Sequence, residues 1–489
     1  MDLWLNILVI IGPLVLGVFL SVVKSITKTT KRIVWVICLL ICFSGVYVFV
    51  KGEYEEKTQR QIEQKDRDYQ RTLLEKQELR EKGRPEKYIN GLGKDPILKD
   101  QFNLGQKYEE AYKFREAILE YEKCLDHPGA TAESKVAAHI LIGSCYYAIS
   151  ELKQAQIHYE KALDLSKEAK IEKERSLAKS AALTNLGLVY YSLGDFKKAI
   201  DYLEKSLEIF KAIGDKAGES ACYTNLGTAY YRLGDFNKAI EYQEKSLKIE
   251  KAIGNKTGEA KCYGNLGNVY FGLGDFKKAI EYQEKSFEIF KAIGDKAGES
   301  ACYTNLGNAY NDIGDFNKAI EYHEKSLEID KARGDKAGES ICYTNLGIAY
   351  GSLGDFKKTI DYLEKSLEIF KAIRDKAGES VCYADLGAAY YGLEDFNKAI
   401  EYHEKSLDIK KAIGDKTGEA ICYANLGNAY FGLRDLKKAI KYYFKAEKVF
   451  KETGQTHYLK KVYEYLSFAY EKIGDEKNME KYRTLADSQ

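Results

Sequence analysis

The run Cys222-Tyr223-Thr224-Asn225-Leu226-Gly227-Thr228-Ala229-Tyr230-Tyr231-Arg232-Leu233-Gly234-Asp235-Phe236 decides the fold. Cys222, Tyr223, Leu226, Gly227, Tyr230 and Leu233 lie three and four residues apart, which gathers them on one face of an α-helix. Gly234-Asp235 then breaks the pattern. Glycine takes the left-handed conformation that ends a helix, and the aspartate caps the next one. Phe236, Ala239, Ile240, Leu247 and Ile249 resume the periodicity, and Gly254-Asn255 closes the unit 20 residues after the first doublet. The spacing therefore predicts two helices joined by tight turns. Gly227 and Ala239 leave room for close approach. Glu241 with Lys245 and Glu244 with Lys248 are i,i+4 pairs on a solvated opposite face.

This unit recurs every 40 residues. Asn-Leu-Gly at 185–187 returns at 225, 265, 305, 345 and 425, and as Asp385-Leu386-Gly387. Full units begin at 180, 220, 260, 300, 340, 380 and 420, and a shorter capping unit spans 460–489. Two looser units fill 98–179, marked by Leu104-Gly105 with Tyr108, Ala117 and Tyr121, and by Ile142-Gly143 with Tyr146, Ala155 and Tyr159. One helix pair cannot bury its apolar face alone, whereas stacked pairs share a continuous core. All four prolines precede residue 130, so later helices run unbroken. The expectation is an all-α solenoid of ten antiparallel helix pairs.

The chain has 489 residues, too many for one ordinary core. Its 75 Lys and Arg nearly cancel 74 Asp and Glu, so no basic excess marks a nucleic-acid binder. The N-terminus differs from the rest. Leu3–Val23 and Ile33–Val50 carry no charge and approach the ~20 residues a helix needs to cross a bilayer. Trp4 and Trp35, the only tryptophans, open the two runs, where an interfacial indole is favoured. Met1-Asp2 lacks the basic start of a signal peptide. Residues 1–50 are expected to form a two-helix transmembrane hairpin that makes the lipid bilayer a partner. Lys24, Lys28, Lys31 and Arg32 favour a cytoplasmic loop, but Lys51, Lys57 and Arg60 follow the second run, so the side facing the repeats stays open. Residues 51–97 read as a charged helical stalk and linker. Ile62, Tyr69 and Leu73 form a thin stripe compatible with a weak coiled coil, and Gly83, Pro85, Gly91, Gly93 and Pro96 end it.

The pattern Tyr223, Asn225-Leu226-Gly227, Tyr230, Gly234-Asp235-Phe236, Ala239-Ile240, Tyr242 resembles a tetratricopeptide repeat. The 40-residue form resembles the repeats of the G-protein-signalling modulator and kinesin light chain families. Lys251 stands where a proline usually ends the unit, and Ser246 where alanine is usual. No short G-protein-binding motif follows the repeats, so that family's partners do not transfer. The resemblance implies a right-handed superhelix whose concave wall is built from first helices.

Most positions barely change between units, but three on the first helix do. They are Leu188, Thr228, Asn268, Asn308, Ile348, Ala388 and Asn428; Tyr191, Tyr231, Phe271, Asn311, Gly351, Tyr391 and Phe431; and Ser192, Arg232, Gly272, Asp312, Ser352, Gly392 and Gly432. Their spacing puts them on one face. Aromatic anchors and amides there suit a protein or peptide ligand, although unconstrained surface also drifts. The resemblance adds an amide ladder of Asn185, Asn225, Asn265, Asn305, Asn345 and Asn425 that holds a ligand's backbone or ties neighbouring units together. Asp385 departs from it and prefers a donor or a cation. Phe210, Phe290, Phe370 and Phe450 alternate with Glu250, Asp330 and Lys410, with no role evident from sequence.

Chemistry is sparse. Cys222, Cys262, Cys302, Cys342, Cys382 and Cys422 repeat at 40-residue steps, too far apart in stacked units to pair, and read as small core residues that suit a reducing compartment. No Cys-x-x-Cys spacing suggests a metal. His323-Glu324 lacks the second histidine of a zinc-protease motif, because Leu327 stands there. Gly254-Asn255-Lys256-Thr257 lacks the order of a phosphate loop. The expectation is a membrane-anchored binding scaffold without cofactor or catalytic residue. The alternative is a self-assembling structural protein. Arg374, Glu394 and Arg434 replace junction glycines and should weaken their turns.

Overall fold

The computed structural model describes residues 96–111, 113–168 and 172–488. All of them belong to the second of two units into which the chain divides, 68–489. The expected hairpin and stalk lie outside the described residues. Among the described residues no helix is long and apolar enough to cross a membrane.

Among the described residues twenty α-helices form ten consecutive pairs. They are α1 (Pro96–Glu110) with α2 (Phe114–Asp126), α3 (Ala132–Ala148) with α4 (Leu152–Leu165), α5 (Glu172–Ser192) with α6 (Phe196–Ile213), and α7 (Lys216–Leu233) with α8 (Phe236–Ala252). There follow α9 (Lys256–Gly272) with α10 (Phe276–Ile293), α11 (Lys296–Asp312) with α12 (Phe316–Arg333), and α13 (Lys336–Ser352) with α14 (Phe356–Ala372). The last are α15 (Lys376–Gly392) with α16 (Phe396–Ala412), α17 (Lys416–Gly432) with α18 (Leu436–Thr453), and α19 (Thr456–Ile473) with α20 (Glu476–Asp487). Each helix packs on those before and after it in the chain. First helices of consecutive units also touch each other, and no pair of second helices has comparable contact. The first helices therefore line the tighter wall.

The doublets act as the sequence predicts. Gly234 takes φ 86° and ends α7, and the Asp235 carboxylate accepts the Lys238 N–H at 3.1 Å to cap α8. Arg374, Glu394 and Arg434 sit at φ near 60° without glycine's freedom, and so does Ser150, which the sequence reading did not flag. Gly227 lets the helices of a pair cross closely: a methyl group there would fall 2.6 Å from the Gln243 side chain.

The core is more polar than the periodicity implies. Leu233 is 42% exposed, because it is the last residue of α7 and emerges beyond the neighbouring helices. Gln243, Ser246 and Glu250 are buried in its stead. Ser246 shows why serine replaces the usual alanine. Its hydroxyl donates to the Ser220 carbonyl at 3.2 Å and accepts the thiol of Cys262, in the next unit, at 3.2 Å. The same stitch recurs, with Cys302, Cys342, Cys382 and Cys422 donating to Ser286, Ser326, Ser366 and Ser406. Burial pushes the Cys302 thiol up to about 11, so these cysteines are structural links. On the surface Glu241 pairs with Lys245, as do their equivalents at 281/285, 321/325 and 401/405. No ion pair joins Glu244 to Lys248 among the described residues. Two more pairs recur: Lys216 with Glu219 and its equivalents, and Lys198 with the capping Asp195 and its equivalents.

Candidate binding wall

The face of each first helix turned away from both neighbouring second helices is the only one they leave uncovered. In α13 the buried side holds Cys342, Tyr343, Leu346 and Ala349, whereas Ile341, Asn345, Ile348 and Ser352 share the other side at spacings of four, three and four. Ile341 is 46% exposed, Ile348 41% and, in α15, Val381 39%. Sequence reading missed the column of Ala221, Lys261, Ala301, Ile341, Val381 and Ile421. It varies as much as the three singled out, but its large aliphatics are confined to the last three members.

The amide column is half-buried, with Asn185 the most covered. Asn265 donates to Gln243 Oε1 of the preceding unit at 3.4 Å, a weak tie between repeats. The amides of Asn225, Asn305, Asn345 and Asn425 make no side-chain hydrogen bond among the described residues, so they are open to another partner. Asn268 and Asn428 are engaged within their own units, accepting from Gln283 Nε2 at 2.9 Å and from the Tyr443 hydroxyl at 2.8 Å. Asn308 is half-buried, and Asn311 keeps a buried, unbonded Oδ1.

The aromatic column is less free than its sequence suggests. Tyr191, Tyr231, Phe271 and Tyr391 each meet the first phenylalanine of their own second helix edge-on, at 5.4 to 5.8 Å between ring centres. Phe431 packs partly buried against the C-terminal core. Tyr231 also lies over Gly272 of the next unit, where a methyl group would fall 2.8 Å from its ring. Arg232 stacks on Phe196 of the preceding unit at 5.8 Å. These rings are half packing and half surface, and only Tyr391 is as open as the exposed aliphatics.

Asp385 is the outlier. Its Oδ2 is buried and accepts no hydrogen bond. Burial, opposed only by the field of Lys410, pushes its carboxyl up to about 7. Lys410 itself is committed to Asp415 Oδ2 at 2.8 Å. His323 and His403, the residues that cross Gly307 and Gly387, each bury an unbonded Nδ1, and burial pushes both imidazoles down to about 4. No group of three or more metal-ligating side chains occurs among the described residues.

The tetratricopeptide repeat family model matches residues 178–252, 257–332, 299–372, 338–412 and 379–452, and a second model of the same description matches 136–168. No curated protein matches the sequence. Among solved structures, the apo quorum sensor NprR from B. thuringiensis is similar at 15% identity and a TM-score of 0.53, over 72% of this chain and 98% of its own. A Rap protein complexed with competence and sporulation factor is similar at 14% and 0.51, over 73% and 98%. Aspartyl phosphate phosphatase F from Bacillus subtilis is similar at 14% and 0.51, over 73% and 94%. At such identities the likeness is one of fold.

Proposed function

The chain belongs to the tetratricopeptide repeat family, and from that premise we propose that it is a membrane-held scaffold gripping a protein segment against its first helices. The right-handed superhelix that the family implies would curl those helices into a groove. The observation that carries the reading is the exposure of Ile341, Ile348 and Val381 on that wall. Large aliphatics left in water there gain by docking a partner, and they occur where the units differ most. The free amides of Asn225, Asn305, Asn345 and Asn425 supply main-chain contacts. That a Rap protein of similar fold is complexed with a factor supports a ligand-holding wall by analogy. The uncharged stretches 3–23 and 33–50 support the membrane anchor. We assign the chain no catalytic step.

The test is a pull-down from solubilised membranes with the full chain and Ile348→Asp, beside thermal melts by circular dichroism. Ile348 is open to solvent, so the variant should melt like the parent while losing captured protein. Retention of every partner by Ile348→Asp would overturn the groove.

A further inference from the structure

Resting on that reading, we propose that units 340–379 and 380–419 form a specificity site for a partner segment in which a lysine or arginine is flanked by aliphatic side chains. Four observations meet there. The exposed aliphatics Ile341 and Ile348 lie on α13, and Val381 and Tyr391 on α15, first helices that touch each other. Gly351 stands where five of the other six units place an aromatic ring, which leaves the wall open above Thr359. Asp385 replaces the ladder asparagine in this unit alone. Its buried Oδ2 accepts no hydrogen bond, because the amide-column contact in the preceding unit, which is Gln243 for Asn265, is apolar Leu363 here.

An ionised carboxylate left inside protein without a counter-charge is costly, and a cation with N–H donors removes that cost. Lys410 does so only in part, since its field reaches Asp385 but its ammonium is hydrogen-bonded to Asp415. Asp385 as a whole is partly exposed, so a cation arriving along the wall reaches it without opening the array. An ammonium or guanidinium at Asp385 has apolar surface on both sides. Aliphatic neighbours in the segment would cover Ile341 and Ile348 on one side and Val381 on the other. An acidic or wholly apolar segment would leave Asp385 to stay unpaired or to take up a proton, and would gain nothing from it. The site therefore selects against such partners as well as for basic ones.

The array supplies its own control. Asparagine occupies this position in six other units, so Asp385→Asn keeps a side chain that the fold already accommodates. The experiment is selection of a random-peptide phage library on the purified full chain, its Asp385→Asn variant and its Ile348→Asp variant. Selected peptides should carry Lys or Arg between aliphatic residues. A synthetic peptide of the consensus should bind Asp385→Asn about tenfold more weakly and lose binding to Ile348→Asp. Replacing its basic residue with norleucine should cost as much on the parent and nothing on Asp385→Asn. Peptides that need Ile348 but show no basic preference, or bind Asp385→Asn equally, would overturn the proposal and leave the groove standing. Selection yielding no peptide sensitive to Ile348→Asp would bring down both.

Discussion

The joints between consecutive units come in two chemical kinds. At one kind, Phe210, Phe290 and Phe370 wedge against Gly218, Gly298 and Gly378 of the next unit, so closely that a methyl group on each glycine would fall 2.3 Å from the ring. At the other, Glu250, Asp330 and Lys410 occupy the same place against Gly258, Gly338 and Gly418. Where the first helix carries a serine at this place, as at 220, 300, 340 and 380 but not at Ala260 or Ala420, it adapts to the difference. Ser220 and Ser300 donate to Glu250 at 2.6 Å and to Asp330 at 2.8 Å. Ser340 and Ser380, opposite Phe370 and Lys410, turn back onto their own helix instead, to Ala337 and Ala377. The same backbone thus accepts an apolar or a charged joint, and the cost differs. A ring against glycine needs no partner, whereas a buried carboxylate needs every donor it can find, and Glu250 still leaves Oε2 unbonded.

The largest effect should come from emptying an apolar joint. Phe290→Ala removes a buried ring and should cost about 3–5 kcal/mol, felt in the two units it joins. Hydrogen exchange read unit by unit should show faster opening over 276–312 with the far units unchanged. Glu250→Ala should cost only about 1 kcal/mol, because Ser220 regains a backbone acceptor. Equal losses would erase the distinction.

Converting a polar joint should sharpen it. Asp330 pairs with Arg333 at 3.3 Å, and the two replace the Phe and Ile of 290–293. Asp330→Phe with Arg333→Ile should stabilise that joint by about 1–3 kcal/mol. It should also remove a pH dependence. Burial, with Asp335 adding to it, pushes the Asp330 carboxyl above its ordinary 3.8 despite Ser300 and Arg333. The folded joint therefore holds its proton more tightly than the unfolded chain. Its stability is full below the unfolded value and falls as pH rises through the folded one. Melts of parent and double variant from pH 4 to 8 should diverge with rising pH; parallel curves would count against it.

The smallest effect concerns a turn beside an apolar joint. Arg374, at φ 60°, follows the Phe370 joint where most units have glycine. Arg374→Gly should recover about 1 kcal/mol, seen as slower exchange across 356–392. No change there would mean that the turn is not the weak point of its joint.

The helix pairs, their number and their caps were legible in the sequence, because a Gly-Asp doublet and a three-four spacing act within a few residues. What escaped depends on neighbours far along the chain. Leu233 fits the apolar period yet ends outside it, since periodicity does not say where a helix emerges from its neighbours. Ser246 stood out only as a departure from alanine and Gln243 not at all; partners at 220 and 224 and in the next unit, Asn265 and Cys262, explain their burial. The alternation at 210, 250 and 290 was visible as a pattern but had no meaning until each side chain met a glycine eight residues on. On the wall, the varying columns lie on a helix face that is partly exposed. Hydropathy alone did not separate Tyr231, which is half packed, from Ile348, which is not.

Among the described residues the joints are connected in series along one chain of units, where helices pack on their chain neighbours and first helices on those of the adjoining units. Elements in series carry the same tension, and the most compliant of them takes up most of the extension. A pull applied between the two ends of the array would therefore be absorbed first at Glu250, Asp330 and Lys410. The segments between them, each closed by a phenylalanine wedge, would move as stiff blocks of two units.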